Sequence, residues 1–164
     1  QEIYNRHSLL AFLGLLLLSG GWLGFVSIIS IECDSGKFWI VWMLLLTTSI
    51  DVGAFFGGRM LGKRKLASRV SPAKTVEGSL SGVILGMLIC PPIAITFFDM
   101  SLLGSILLTL GLSVIAIFGD LVESLIKRLS GVKDSGSILP GHGGVLDRVD
   151  SILAVAPFLA WSLR

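Results

Sequence analysis

Leu102–Gly119 reads LLGSILLTLGLSVIAIFG and is followed at once by Asp120. An uncharged run of this length is close to what a helix needs to cross the ~30 Å hydrocarbon core of a bilayer. Similar runs lie on either side of it. Ser8–Ile31 carries no charge, Phe38–Gly58 carries only Asp51, and Ser79–Phe98 carries none. Ser151–Leu163 is apolar but short, and would span only if its helix starts near Asp147 or continues beyond Arg164. About five spans follow, so the fold class is all-α: a polytopic integral membrane helical bundle. The composition agrees, with 53% hydrophobic and 15% charged residues in a 164-residue chain. Such a chain is not disordered, collagen-like or coiled-coil, and it does not resemble an ordinary soluble enzyme domain.

The spans also predict local features. Pro91-Pro92 removes helix hydrogen bonds inside the third span, so a kink or break is expected there. Gly14, Gly20, Gly21, Gly24, Gly82, Gly86, Gly104 and Gly111 fall within spans, where small residues let helices approach closely. Cys33 and Cys90 have neither CxxC spacing nor a histidine partner pattern, and are read as inert thiols. No internal repeat is visible.

The net charge of +2 says little, but its distribution decides the topology. Threading the spans places the two long connections, Arg59–Gly78 and Leu121–Arg148, on one side. That side carries Arg6, Arg59, Lys63, Arg64, Lys65, Arg69, Lys74, Lys127, Arg128, Lys133 and Arg148, while the other carries Lys37 and Arg164. By the positive-inside rule the long connections are cytoplasmic, and the two polar loops form the candidate site.

The first informative stretch is Gly119–Ser151, GDLVESLIKRLSGVKDSGSILPGHGGVLDRVDS. If the fourth helix continues past the membrane, Asp120, Glu123 or Ser124, and Lys127 share one face. A glycine-rich loop carrying Lys133, Asp134 and His142 follows. Asp147 and Asp150 then stand three residues apart, on one face of the next helix. Carboxylates at a membrane surface beside Lys and Arg suit a hard divalent cation and phosphates. Glycines let backbone N–H groups approach a phosphate, although GxxxxGK[ST] is absent. Interfacial anchoring and salt bridging are the bland alternatives, and Asp99 is read that way.

The second stretch is Thr47–Gly78. Asp51 interrupts a span and is a functional candidate, or else a buried carboxylate paired with a residue such as Arg59. Ser71-Pro72-Ala73-Lys74-Thr75 followed by Glu77-Gly78 offers hydroxyls and an ammonium for phosphate oxygens, or a plain helix N-cap at Ser71-Pro72. Lys63, Arg64 and Lys65 read as an anionic-lipid patch.

These motifs together resemble the phosphatidate cytidylyltransferase (CDP-diacylglycerol synthase) family. The resemblance rests on Ser124-Leu-Ile-Lys127-Arg128, Lys133-Asp134, Leu139-Pro140-Gly-His142-Gly143-Gly144 and Asp147-Arg148-Val-Asp150. It extends to Asp51-Val-Gly53-Ala-Phe-Phe-Gly-Gly58-Arg59, Ser71-Pro72-Ala-Lys74-Thr75 and Glu77-Gly78. It implies transfer of a cytidylyl group from CTP to phosphatidate, giving CDP-diacylglycerol and pyrophosphate. Mg²⁺ is the implied cofactor, with K⁺ as a further cation, and Asp120, Asp147 and Asp150 are the implied metal ligands. Asp120, Lys127, Asp147 and Asp150 become the candidate catalytic group. Asp51, Ser71, Lys74, Thr75, Glu77, Ser124, Arg128, Lys133, Asp134, His142, Gly143, Gly144 and Arg148 become candidate substrate contacts.

The resemblance further implies a multi-pass protein of the bacterial inner membrane, with its site facing the cytoplasm. Residues 1–164 are expected to form a single transmembrane catalytic domain that lacks N-terminal spans. CTP, phosphatidate and membrane lipids are the expected partners, nucleic acid is not, and small-residue faces permit a homodimer. The competing readings are a CTP-dependent lipid kinase of the dolichol or phytol type and an ion-coupled transporter. A CDP-alcohol phosphotransferase ranks below both, because Asp51-Val52-Gly53 does not match its D-G-x2-A-R motif.

Overall fold

The computed structural model describes residues 2–31, 35–68, 70–132, 135–136, 144 and 146–164. Five helices and one hairpin follow in order: α1 (Glu2–Ile29), α2 (Ser35–Leu61), β1 (Lys65–Ala67), β2 (Ser71–Thr75), α3 (Val76–Phe98), α4 (Leu102–Leu129) and α5 (Leu146–Ser162). Among the described residues four helical segments are long and apolar enough to cross a membrane: Leu10–Ile29, Ser35–Leu61, Val76–Phe98 and Leu102–Leu129. The shorter α5 starts at Leu146, next to Asp147, as one of the two sequence-based options required. The chain is therefore a multi-pass, all-helical membrane bundle with a two-stranded hairpin at one end. Its apolar surface is large, with Phe12, Leu15, Trp22, Phe38, Leu88 and Trp161 all exposed, as a lipid solvent allows.

The helix starts and stops have local causes. Thr75 caps α3 by accepting from the Gly78 N–H, and Ser101 caps α4 by accepting from the Gly104 N–H. Ser71-Pro72 is therefore not the cap: the chain remains extended through β2 and turns helical four residues later. Asp99 ends α3 in the left-handed region at φ 51°, its N–H returning to the Ala94 carbonyl. Of the kink or break expected at Pro91-Pro92, no break occurs: α3 continues through both prolines to Phe98. Both prolines forgo an N–H bond, but Pro91 and Cys90 are buried against α2, where surrounding helices hold the segment. There the Trp42 indole N–H donates to the Cys90 carbonyl at 3.0 Å.

Trp42 stands edge-on to Trp39, and Trp39 in turn stacks on Phe98 with ring centroids 3.7 Å apart. This aromatic cluster closes the end of the bundle remote from the hairpin. Replacing Trp42 with Phe is expected to cost about 1–2 kcal/mol, from one lost buried hydrogen bond and the space vacated by the indole. Thermal unfolding in detergent reads the effect, and an unchanged midpoint would remove Trp42 from the core's energetics.

The bundle's tightest seam joins α2 and α3. A Cβ on Gly53 would lie 2.8 Å from the Gly82 Cα, and one on Gly78 would lie 2.7 Å from the Ala54 carbonyl oxygen. Backbones meet here because glycine leaves room, the small-residue device of membrane helices. Gly21 and Gly24 play the same part where α1 meets Leu153, Ala156 and Pro157 of α5. Gly14, Gly20 and Gly111 do not: among the described residues nothing lies within 4 Å of a Cβ on any of them, so they do not serve the close packing expected from sequence there.

Candidate active site

The hairpin is the element that composition did not predict. β1 and β2 pair antiparallel, with Lys65 opposite Thr75 and Ala67 opposite Ser71, and the register shifts between Lys65 and Ala67. A two-stranded ribbon has only edges, so Pro72 is tolerated. Glu77 fixes the ribbon's base, its carboxylate accepting from the Lys63 N–H at 3.0 Å and the Arg64 N–H at 3.1 Å. Arg128 fixes the tip from α4, donating through Nε to the Val70 carbonyl at 3.2 Å. Held at both ends, the ribbon directs Lys74 into the bundle.

Lys74 enters a cavity of about 240 Å³. Its polar walls are Asp51 of α2, Lys74 and Thr75 of β2, Asp120 of α4 and Ser151 of α5; Ile50, Phe55 and Ile117 supply apolar ones. The Lys74 ammonium is in direct contact with an Asp120 carboxylate oxygen. Burial lowers the Lys74 pKa from the ordinary lysine value, opposed by the negative charges of Asp150, Asp51 and Glu123. A half-buried ammonium among several carboxylates is poised to exchange one anionic partner for another, which is what phosphate binding requires.

Below Lys74, α4 continues as one helix from the membrane to Leu129, as the pattern of Asp120 and Lys127 requires. Glu123 is 4% exposed, and Lys127 Nζ lies 2.8 Å from its Oε2. Its other oxygen, Oε1, has no hydrogen-bond partner among the described residues. Ser124 donates to Asp120 Oδ1 at 3.5 Å, a long contact. Asp150 accepts from the backbone N–H of Ser151 at 2.6 Å, a bond that orients the carboxylate.

Asp120, Glu123 and Asp150 each offer one oxygen, and these oxygens all lie within 4.8 Å of one another. Three carboxylates at that spacing, one with an unused buried oxygen, are a donor set that fits a hard cation. The residues present therefore suit a divalent metal.

Several of the residues predicted from sequence converge here: Asp51, Lys74, Thr75, Asp120 and Asp150, with Lys127 and Ser124 alongside. Thr75 uses its hydroxyl to cap α3, so its contribution to the wall is structural as well. Ser71, Glu77 and Arg128 are not among the cavity's walls; Glu77 and Arg128 brace the hairpin instead. Gly144 is buried close against Ser135 and Gly136. Lys133, Asp134, His142 and Gly143 lie outside the described residues. So do the side chains of Asp147 and Arg148, although α5 carries both positions.

Sequence reasoning assigned no role to Glu123. Its spacing from Asp120 held the signal, but that spacing did not decide between Glu123 and Ser124 as the residue facing the acids. The helix's rotation against α5 decides for Glu123.

A bundle of membrane-length apolar helices with Asp51, Lys74 and Asp120 lining a cavity at one end defines a multi-pass membrane protein with a polar site. The model of the cytidylyltransferase family matches residues 2–164, and the chain belongs to that family. It is 45% identical over 153 residues to a phosphatidate cytidylyltransferase of Helicobacter pylori strain J99, covering 93% of this chain and 55% of that protein. It is 44% identical over 132 residues to one of Haemophilus influenzae, covering 77% of this chain and 46% of the relative. It is also 46% identical over 129 residues to one of Bacillus subtilis, covering 78% and 48%. The chain thus spans about half the length of the curated relatives it matches.

Proposed function

We propose that this chain carries the polar site of a phosphatidate cytidylyltransferase, which converts CTP and phosphatidate to CDP-diacylglycerol and pyrophosphate. One observation carries the reading. Lys74, directed in by the hairpin, touches Asp120 inside a cavity at the end of an apolar bundle, and Asp120 is one of three clustered carboxylates from two helices. That arrangement suits a reaction between a nucleotide from water and a phosphate anchored in lipid. The names of the relatives support the same reaction for this chain.

In the reaction, a phosphate oxygen of phosphatidate attacks the α-phosphorus of CTP, and the bond to the bridging oxygen of pyrophosphate breaks. The nucleophile is already anionic, so no strong general base is needed. The obstacle is the repulsion between two polyanions, and positioning with charge neutralisation is how phosphoryl chemistry meets it. Lys74 leaves Asp120 for a phosphate oxygen. Lys127, oriented by the buried Glu123, presents a second ammonium from α4. A bound Mg²⁺ would screen phosphate charge and stabilise the leaving pyrophosphate. Asp120 and Asp150 would hold it, with Asp147 as the family resemblance implies and Glu123 as the buried carboxylate beside them. K⁺ would be a further cation at the same acids. Ser124, Arg128, Lys133, Asp134, His142, Gly143, Gly144 and Arg148 belong to the proposed nucleotide and phosphate side.

The basic loops favour a site facing the cytoplasm, and the bacterial relatives favour an inner membrane as its location. Residues 1–164 serve as one transmembrane catalytic unit, and the open faces at Gly14, Gly20 and Gly111 leave room for a homodimer contact.

The test is product identity. Protein in detergent micelles with phosphatidate, CTP and Mg²⁺ is expected to release pyrophosphate and form a CDP-lipid together, with both lost on chelation. CDP with a newly phosphorylated lipid would replace this reading with a lipid kinase. No turnover by the chain extended to the length of its relatives would remove the enzymatic reading.

A further inference from the structure

Beside the polar cavity, α3 and α4 form a second one of about 240 Å³. Val76 and Val83 of α3, Val114 and Phe118 of α4, and Leu66 of β1 line it. Its one polar wall residue, Ser79, donates its hydroxyl to the Thr75 carbonyl at 3.2 Å, so the groove presents an apolar surface. Ser79 and Ile117 line both cavities, so the groove lies directly against the cavity that holds Lys74. Phe118 is 62% exposed and Val114 44% exposed, which opens the groove sideways to the lipid phase.

We propose that this α3–α4 groove holds an acyl chain of the lipid whose phosphate is bound at Lys74. The proposal rests on phosphatidate being the lipid substrate, and it assigns the seam through which that lipid reaches the polar cavity. A phosphate drawn down to Lys74 brings its glycerol and acyl chains with it. Those chains must remain in an apolar environment, because every methylene exposed to water is unfavourable.

Two neighbouring seams cannot admit them. The α2–α3 seam is in backbone contact at Gly53 and Gly82, and the α4–α5 seam is closed where Gly119 abuts Ala154. α3 and α4 pack together further along, where Gly86 faces Ser113, but nearer the hairpin the valines, Phe118 and Ile117 leave a furrow between them. Leu66 closes the furrow at the hairpin end, so an acyl chain seated there runs from the polar cavity toward the bundle's far end. The hairpin thus has two tasks: β2 delivers Lys74 to the phosphate, and β1 covers the start of the chain.

The experiment uses phosphatidate with a diazirine at mid-chain, photolysed on the unaltered protein in detergent and mapped by peptide mass spectrometry. Label is expected on α3 near Val83 and on α4 near Val114. Excess unlabelled phosphatidate should abolish it, and diacylglycerol with the same chains should not. Label elsewhere in the bundle, or groove label that both lipids displace equally, would overturn the proposal, because the groove would then hold only annular lipid.

A kinetic arm adds Val83→Trp and Val114→Trp, which fill the groove. The ratio of long-chain to short-chain phosphatidate turnover is expected to fall about tenfold, the scale of a contact within an apolar pocket. Leu88→Trp, on the exposed face of α3 outside the groove, should leave that ratio alone. An unchanged ratio in the groove variants would also count against the proposal. Selective labelling without any CDP-lipid would sink the proposed reaction and leave the groove assignment standing. CDP-lipid formation without selective labelling would do the reverse.

Discussion

Asp120→Asn is expected to lower kcat/KM for CDP-lipid formation by roughly 10²–10³-fold, the scale on which a single preorganised electrostatic group acts. Two contacts drive the loss. Asp120 is the carboxylate that touches the Lys74 ammonium, and it is also one of the three acids whose oxygens lie within 4.8 Å of one another. The amide keeps the shape, but it weakens both the cation's donor set and the anchor that holds Lys74 in the cavity.

The fold should survive the change. Asp120 is half-buried at an open cavity rather than in the core, and Asp51, Asp150 and Glu123 remain to balance Lys74. Kinetics against CTP and Mg²⁺, with circular dichroism as the folding control, separate the two effects. Near-normal turnover in a folded variant would remove Asp120 from the site.

Gly53→Leu should damage stability more than any surface change. The Cβ alone would stand 2.8 Å from both the Gly82 Cα and the Ser81 carbonyl oxygen, backbone atoms that no side-chain rotation can move. α2 and α3 would have to separate, and overpacking of this kind costs about 1–3 kcal/mol where some relaxation is possible. Activity should fall with stability. Asp51 rides on α2, and the hairpin carrying Lys74 joins α2 to α3, so a shift along the seam misaligns both against Asp120.

Gly14→Leu provides the contrast, because nothing lies within 4 Å of a Cβ there, and its unfolding midpoint should match the parent's. Equal midpoints for the two variants would mean that the close α2–α3 contact is not how the bundle is held.

The spans were legible because the bilayer imposes one requirement, a long uncharged helix, that composition cannot disguise. Observed helices outrun the expected spans where they extend into polar sequence, most of all α4, which continues beyond Gly119 to Leu129. Of the kink or break expected at Pro91-Pro92, the break is the part that α3 overrules. A proline pair breaks an isolated helix, but α3 is clamped at that height by α2, and the helix persists. The hairpin was not legible either, since Lys65–Ala67 and Ser71–Thr75 are short and lack the alternation of apolar and polar residues that marks a half-buried strand. It is braced by Glu77 just after β2 and by Arg128 of α4, and no local strand pattern reveals either contact.

The site divides in the same way. Hydrophobic runs and the asymmetry of basic residues define a multi-pass bundle with one polar face, and Asp51, Lys74, Asp120 and Asp150 stand out from sequence because charge near a membrane is expensive unless it is used. Those features are properties of single segments in a fixed solvent. Which residues meet is a different matter. Glu123 rather than Ser124 beside Asp150, Lys74 against Asp120, and an apolar furrow that shares Ser79 and Ile117 with the cavity all depend on how helices rotate and how closely they pack. Packing couples segments far apart in the chain, so those contacts exist only once all the helices have docked.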